Sequence, residues 1–388
     1  MKQVVHILRH FGHPNQSYTT KLLESLNLDS SKLTHKVVCD SILKNSKGIQ
    51  VFKTNSYRTI FFNPLACLWS LKMVLLDSFY KEVTKEFSFK NRLKKAVKWL
   101  PLWKQKPDVI HIHHLQVVDL WLLKYIKSKN IKCVLSLRGM ELMRETLNKE
   151  KQSLFLEKIT CVDKVHVISQ FMFDYALEKS IPKQKLIKVY RGFDKEIILS
   201  KNLKSDDYTK CETIKIIAVG RLAWEKGHEQ LLDSVARFKK KGYQMSLDIY
   251  GEGPLEENLK FRVYQLELMN EIFFKGQVSN HELKEQYKKY DVAVQPSLFE
   301  ALSNGLLDFA IHLLPCVIPN VGGMPEIIKQ GQNGIVYNPE NPEALDKAIL
   351  DALQLDKQNL RNVNNSIYKT FSIENELFGL NDIYLSNT

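Results

Sequence analysis

Short apolar runs alternate with longer stretches of helical spacing along the whole chain. The runs at 4–8, 36–39, 59–62, 109–113, 132–137, 164–168 and 185–190 read as strands. The stretches 18–28, 65–87, 115–129 and 141–160 between them read as helices. A polar segment rich in Lys, Ser and Asp follows at 194–212. The alternation then resumes, with strands expected at 215–219, 245–250, 272–275, 292–295 and 316–318. This is the pattern of doubly wound parallel sheets. Two α/β domains are expected, at 1–195 and 213–370, with a linker at 196–212 and a last helix within 371–388. Ligands of such sheets bind beyond the carboxyl ends of the strands.

Composition narrows the class. The 388 residues are 44% hydrophobic and 26% charged, values of a soluble globular protein, and no apolar run is long enough to span a bilayer. The N-terminal apolar run is five residues broken by His6, which suits a buried strand and not a signal peptide. Six scattered cysteines without a C-x-x-C pair imply reduced thiols in a cytoplasm and argue against zinc or a disulfide framework. The net charge of +13 favours anionic partners. No nucleic-acid-binding signature accompanies it, so nucleic acid is not an expected partner.

The chemistry-bearing residues fall at strand ends. Pro296, Ser297, Ser303 and Asn304-Gly305 are turn and cap residues opening a helix at about 305–312. That helix N-terminus suits an anion such as phosphate. Glu300 and Asp308 bracket it, seven residues apart. Gly322-Gly323 precede a helix expected to carry Pro325 and Glu326 in its first turn. Another buried strand ends at Gly220, followed by Arg221 and Lys226; Gly251 and Val278 follow the next two strands. Earlier in the chain, His111 and His113 share one face of their strand, and His113 and His114 fall at its carboxyl end. A metal site from these histidines lacks an acidic or Cys partner, so none is expected. The first strand leads into a loop with Gly12, which is not a G-x-G-x-x-G turn, and a dinucleotide enzyme is disfavoured. Arg138, Gly139 and Glu141 follow a further strand.

In order, Pro296-Ser297, Glu300, Ser303-Asn304, Asp308, Pro315, Val321-Gly322-Gly323, Pro325-Glu326, Gly331 and Asn333-Gly334 resemble the signature of the retaining glycosyltransferases of family 4, the glycosyl transferases group 1. Gly220-Arg221-Leu222 with Lys226-Gly227 extends the resemblance. It implies the GT-B fold, two doubly wound Rossmann-like domains facing a central cleft, with the last helix crossing back to the first domain. It also implies that Arg221 and Lys226 hold a nucleotide diphosphate, that Glu300 orients the transferred sugar, and that His113 faces that sugar. Gly12, Gly220, Gly251, Val278, Ser303, Asn304 and Gly305 would line the donor, and Arg138 and Glu141 the acceptor side. The family's second Glu is Asp308 here, one methylene shorter, which puts its contact to the ribose in question.

The implied activity is metal-independent, retaining transfer of a sugar from a nucleotide diphosphate sugar, UDP favoured over GDP, to a glycan or lipid-linked acceptor in cell-surface polysaccharide assembly. No cofactor is expected. Two alternatives stay open: a GT-B sugar-nucleotide epimerase, and a non-catalytic binder of sugar nucleotides or polyanions. The segment 89–106 has an apolar stripe (Phe89, Leu93, Ala96, Val97, Leu100) ringed by lysines, with Trp99, Leu102 and Trp103 at one end. It is a candidate for peripheral contact with an anionic membrane on its inner face; packing on the protein's own domain is the alternative.

Overall fold

The computed structural model describes residues 1–12, 17–28, 32–43, 48–55, 64–193 and 213–386. The strand expected at 59–62 and the linker at 196–212 lie outside them. The chain forms two compact units. The first comprises Met1–Ile168, Phe173–Val189 and Glu376–Thr388, and the second Ser169–Met172 and Tyr190–Asn375.

The first unit is built on seven parallel strands: β1 (Lys2–Phe11), β2 (Leu33–Ile42), β3 (Gln50–Lys53), β4 (Val109–Ile112), β5 (Lys132–Leu137), β6 (Lys164–Val167) and β7 (Leu186–Lys188). Their order is β3-β2-β1-β4-β5-β6-β7. The second unit has six: β8 (Ile214–Val219), β9 (Met245–Tyr250), β10 (Ile272–Gly276), β11 (Val292–Val294), β12 (Cys316–Pro319) and β13 (Gly334–Tyr337), in the order β10-β9-β8-β11-β12-β13. β4, β5, β11 and β12 are buried along their whole length, as strands covered on both faces must be. Ile216, Leu231, Leu247, Val294, Val317 and Ile349 belong to the core of the second unit.

The elements depart from the sequence expectation where a polar side chain caps a new helix. The single helix expected at 65–87 is two, Pro64–Leu76 and Ser78–Val83, because the Asp77 carboxylate accepts the Tyr80 N–H at 2.9 Å. The helix expected at 141–160 also divides, into Met140–Thr146 and Lys149–Thr160, where Asn148 accepts from Glu150 and Lys151. The helix expected after Gly323 is only a 3-10 turn, Met324–Glu326. Glu326 is drawn off to cap another helix, its two oxygens each accepting at 2.8 Å from the N–H groups of Gln170 and Phe171. β3 and β13, of four residues each, are not among the strands expected from the sequence.

Pro101 does not end its helix, which runs Phe89–Lys104. Proline costs the helix the bond that an N–H at 101 would make to the Val97 carbonyl, and the helix continues because buried residues pack on both sides of it. In this helix Leu93, Ala96, Val97 and Leu100 are buried, and so are Trp99 and Leu102. The stripe packs against Pro64–Leu76. Lys95 pairs with Asp119 at 3.1 Å and Lys98 with Asp40 at 3.5 Å, while Arg92 donates to the carbonyls of Thr84, Lys85 and Phe87. Most of the apolar half of the membrane face expected at 89–106 is therefore interior, and Phe89 at its start is 52% exposed.

Candidate active site

The sheet of the second unit changes winding direction between β8 and β11. A doubly wound sheet opens its crevice there, at the carboxyl edge. Beyond β8, the Gly220 N–H bonds to the Tyr250 carbonyl at 2.9 Å. Arg221 is exposed, and its guanidinium has no partner among the described residues. Lys226 ends the 3-10 turn Trp224–Lys226, and its ammonium pairs with the Glu300 carboxylate.

Beyond β11 stands Gln295, buried, which the sequence reading passes over. Its Nε2 donates to Glu300 Oε1 at 3.1 Å, and its Oε1 accepts from Ser303 Oγ at 2.7 Å. Ser303 Oγ also accepts the Leu306 N–H at 3.2 Å and so caps the helix Asn304–Ile311. An amide on one side and an ammonium on the other thus fix Glu300. The loop beneath it is set by two glycines. Gly322 has φ +63°, and a Cβ there would lie 2.0 Å from the Glu300 carbonyl oxygen; one on Gly323 would lie 2.1 Å from that of Ala301. Only bare backbone can approach so closely, and the Gly323 N–H uses the space to bond Glu300 O at 2.9 Å.

Asp308 is half-buried in the Asn304–Ile311 helix. Arg191, to which the sequence reading gives no role, lies close enough for charge coupling to both carboxylates. Burial pushes its guanidinium down to about 10, and Glu300 and Asp308 act in the opposite sense. Asn304 is exposed, and Gly305 and Val278 are half-buried. A Cβ on Gly251 would lie 2.0 Å from Gly220 O, so that loop is stitched to the Gly220 loop.

The first sheet turns between β1 and β4. Gly12 follows β1 with φ +77°, its N–H directed to Thr20 Oγ1 at 3.3 Å. His113 follows β4, and its ring is enclosed rather than offered to a ligand. Arg138, which can only donate, places Nη2 2.8 Å from His113 Nδ1 and Nη1 2.7 Å from Thr19 Oγ1. His113 must therefore carry its proton on Nε2, which donates to His6 Nδ1 at 3.0 Å; His6 Nε2 donates in turn to His35 Nδ1 at 3.0 Å. A second chain is fixed from its other end. The Val189 carbonyl can only accept, so His166 donates from Nε2 at 3.0 Å, and its Nδ1 takes the Ser136 hydroxyl proton at 2.8 Å. Ser136 then accepts from His111 Nε2 at 2.8 Å, and His111 Nδ1 from the Tyr384 hydroxyl at 2.6 Å.

Burial first, then the neighbouring rings and Arg138, hold His6, His111 and His113 well below the usual imidazole range, so all three are neutral. Their nitrogens lie within 4.8 Å of one another, a spacing a metal could use. Each ring nitrogen of the three is already committed to these chains, and a metal would have to displace them. The third ring of the group is His6, not the His114 of the sequence pattern. Glu141 goes elsewhere: burial raises its carboxyl to about 7, against hydrogen bonds from the backbone of Leu115 and Gln116. Ser169 caps its helix as expected, accepting the Met172 N–H at 3.1 Å.

The Glycosyl transferases group 1 family matches residues 201–369, and Glycosyltransferase Family 4 matches 55–197. Both matches are to glycosyltransferase families, and neither by itself spans half of the chain. An uncharacterised glycosyltransferase of Methanocaldococcus jannaschii is 32% identical over 164 residues, 41% of this chain and 42% of the relative. The chain thus spans less than half the length of that curated relative. Among solved structures, Anabaena HepE in complex with UDP and glucose superposes over 100% of both chains with a TM-score of 0.72 at 13% identity. The lipopolysaccharide outer core galactosyltransferase WaaB covers 98% of this chain and 99% of its own at a TM-score of 0.66 and 17% identity. These likenesses establish the GT-B fold of the chain. The paired Lys226 and Glu300 stand in the part of the chain that the group 1 family matches.

Proposed function

We propose that the protein is a retaining, metal-independent glycosyltransferase whose donor is a nucleotide diphosphate sugar, UDP before GDP. The observation that carries this is the grouping at the carboxyl edge of β8 and β11: an exposed Arg221 and a Lys226 held on a fixed Glu300. Breaking the bond from the sugar C1 to the diphosphate sends its electron pair to a phosphate oxygen. Arg221 and Lys226 supply the two cations that stabilise that growing charge, the work a metal would otherwise do. Glu300, locked by Gln295, orients the sugar. The acceptor hydroxyl adds on the face the diphosphate leaves, and its proton goes to the departing phosphate oxygen, which gives retention without a covalent intermediate. Asp308 serves the ribose, and Arg191 offsets part of the charge of the two carboxylates.

The acceptor is assigned to the first unit, near Arg138. A glycan or lipid-linked acceptor of cell-surface polysaccharide assembly is the class favoured by the likeness to a lipopolysaccharide transferase. The test is a panel of UDP- and GDP-sugars with the purified chain, following nucleotide release and the fate of the sugar. Slow hydrolysis of one donor that Lys226→Ala abolishes supports the reading. Binding of all donors without turnover would favour a non-catalytic binder, and release of an epimerised sugar would favour an epimerase.

A further inference from the structure

The Pro64–Leu76 helix is apolar on both sides. Ala66, Ser70, Met73 and Val74 are buried in the first unit. On the other side Leu65, Leu68, Trp69, Leu75 and Leu76 face solvent, and Phe79 continues the row into the next helix. The spacing 65, 68, 69, 72, 75, 76 is one helical face, with Lys72 as its single charge. Leu65 is 76% exposed, Leu68 63% and Leu76 71%. A helix with apolar residues all round is ordinarily enclosed by protein or by lipid, and this one is enclosed on one side only.

We propose that this face is a docking surface for an anionic lipid bilayer, with the helix lying in the interface. Charge supports lipid. Lys72, Lys81 and Lys90 are exposed on this helix and the two after it, Lys85 is exposed in the turn between those two, and none has a side-chain partner among the described residues. The acids of the same stretch are Asp77, which Lys129 already holds at 2.7 Å, and the exposed Glu82 and Glu86. Leu, Trp and Phe on one face with lysines around it are what an interfacial helix requires. Thirteen residues reach roughly 20 Å, too short to cross a hydrocarbon core. None of the described helices is long and apolar enough to cross. A second copy of the chain fits less well, because Lys72 in the middle of the row would meet its own counterpart across a two-fold axis. The surface shares no residue with the donor site, so it stands or falls apart from the transferase reading.

The full chain should co-sediment with phosphatidylcholine vesicles containing phosphatidylglycerol at low salt. Binding should drop at least tenfold with phosphatidylcholine alone. Combining Leu65→Ser, Leu68→Ser and Leu76→Ser should lower it at least tenfold again, while UDP binding and the circular dichroism spectrum stay as in the parent. Brominated lipid should quench tryptophan fluorescence, and Trp69→Phe should remove most of that quenching. Anionic vesicles that fail to bind the chain, or a triple variant that binds as well as the parent, would overturn the proposal. So would a dimer in analytical ultracentrifugation that the triple variant dissociates.

Discussion

The two units solve the same topological problem with opposite chemistry. In each, a parallel sheet turns its winding at two central strands, and loops leave both at the carboxyl edge. In the second unit those loops carry fixed charges: Lys226 on Glu300, with Arg221, Asp308 and Arg191 nearby. In the first, the strands carry neutral imidazoles wired into two chains, and one cation, Arg138, is seated at the end of one chain. The fold supplies a place; the residues at the strand ends decide whether it handles a charged leaving group or orients something by hydrogen bonds alone.

The sharpest way to separate the units is acid. His35 and His166 are held near 4 by burial, and His6, His111 and His113 are also held low. An unfolded chain takes up these protons near pH 6.5 and the fold does not. The first unit therefore keeps its full stability above 6.5 and loses it as pH falls below, by about 1.4 kcal/mol per pH unit for each such histidine. Glu141 runs the other way, since a carboxyl raised to about 7 favours the fold as pH falls from there to 4.5, but it is one group against six, His114 being held near 4 as well. In the second unit His228 and His312 are the lowered histidines among the described residues. Trp69, Trp99, Trp103 and Trp121 report the first unit and Trp224 the second. Trp224→Phe should show a tryptophan transition during titration from 6.5 toward 4 while UDP is still bound. Loss of both signals together would erase the contrast.

The next effect is catalytic. Lys226→Ala or Arg221→Ala should lower turnover by the two to three orders of magnitude that follow from losing about 2.7–4 kcal/mol of transition-state stabilisation. Melting temperature should be little changed. Near-parental turnover in either variant would remove the charge from the account of the second unit. Smaller again is Gln295→Ala, which leaves Glu300 held by Lys226 alone and deprives Ser303 of one acceptor. We expect kcat to fall about tenfold, the equivalent of one hydrogen bond to a charged group, with KM for the donor nearly constant. A rise in KM alongside the fall in kcat would instead mark general damage to the loop. The smallest is Asp308→Ala, expected to weaken UDP binding severalfold in calorimetry, with Asp308→Glu restoring it. Unchanged affinity would leave Asp308 as a partner of Arg191 and nothing more.

Much of this arrangement is legible in the sequence, and what is not has a physical reason. Strand–helix alternation gives both sheets because buried parallel strands are apolar throughout and cannot be mistaken for polar surface. Glu300, Arg221 and Lys226 are legible because local motifs place them within a few residues of a strand end. Gln295 and Arg191 are not, since each acts through partners brought close only by folding. His6, His35 and His166 are spread over three strands, and no spacing in the chain foretells that they line up across a sheet. The Trp99 and Leu102 cluster misleads because helical periodicity shows that a stripe is apolar without showing what covers it. The face left bare belongs to Pro64–Leu76, whose two apolar sides cancel any periodic signal.

The tail of the chain sets a timetable for synthesis. The Tyr384 hydroxyl starts the His111 chain, and the Lys132 ammonium has its acceptors in the carbonyls of Ile383 and Ser386. Both lie in the stretch that rejoins the first unit after the second is complete. A nascent chain with its first sheet already outside the ribosome would still hold His111 and Lys132 without these partners. At 5–20 residues per second, the intervening residues take roughly ten to forty seconds to emerge. The unit made first is therefore finished last, and for that interval His111 and Lys132 await the final helix.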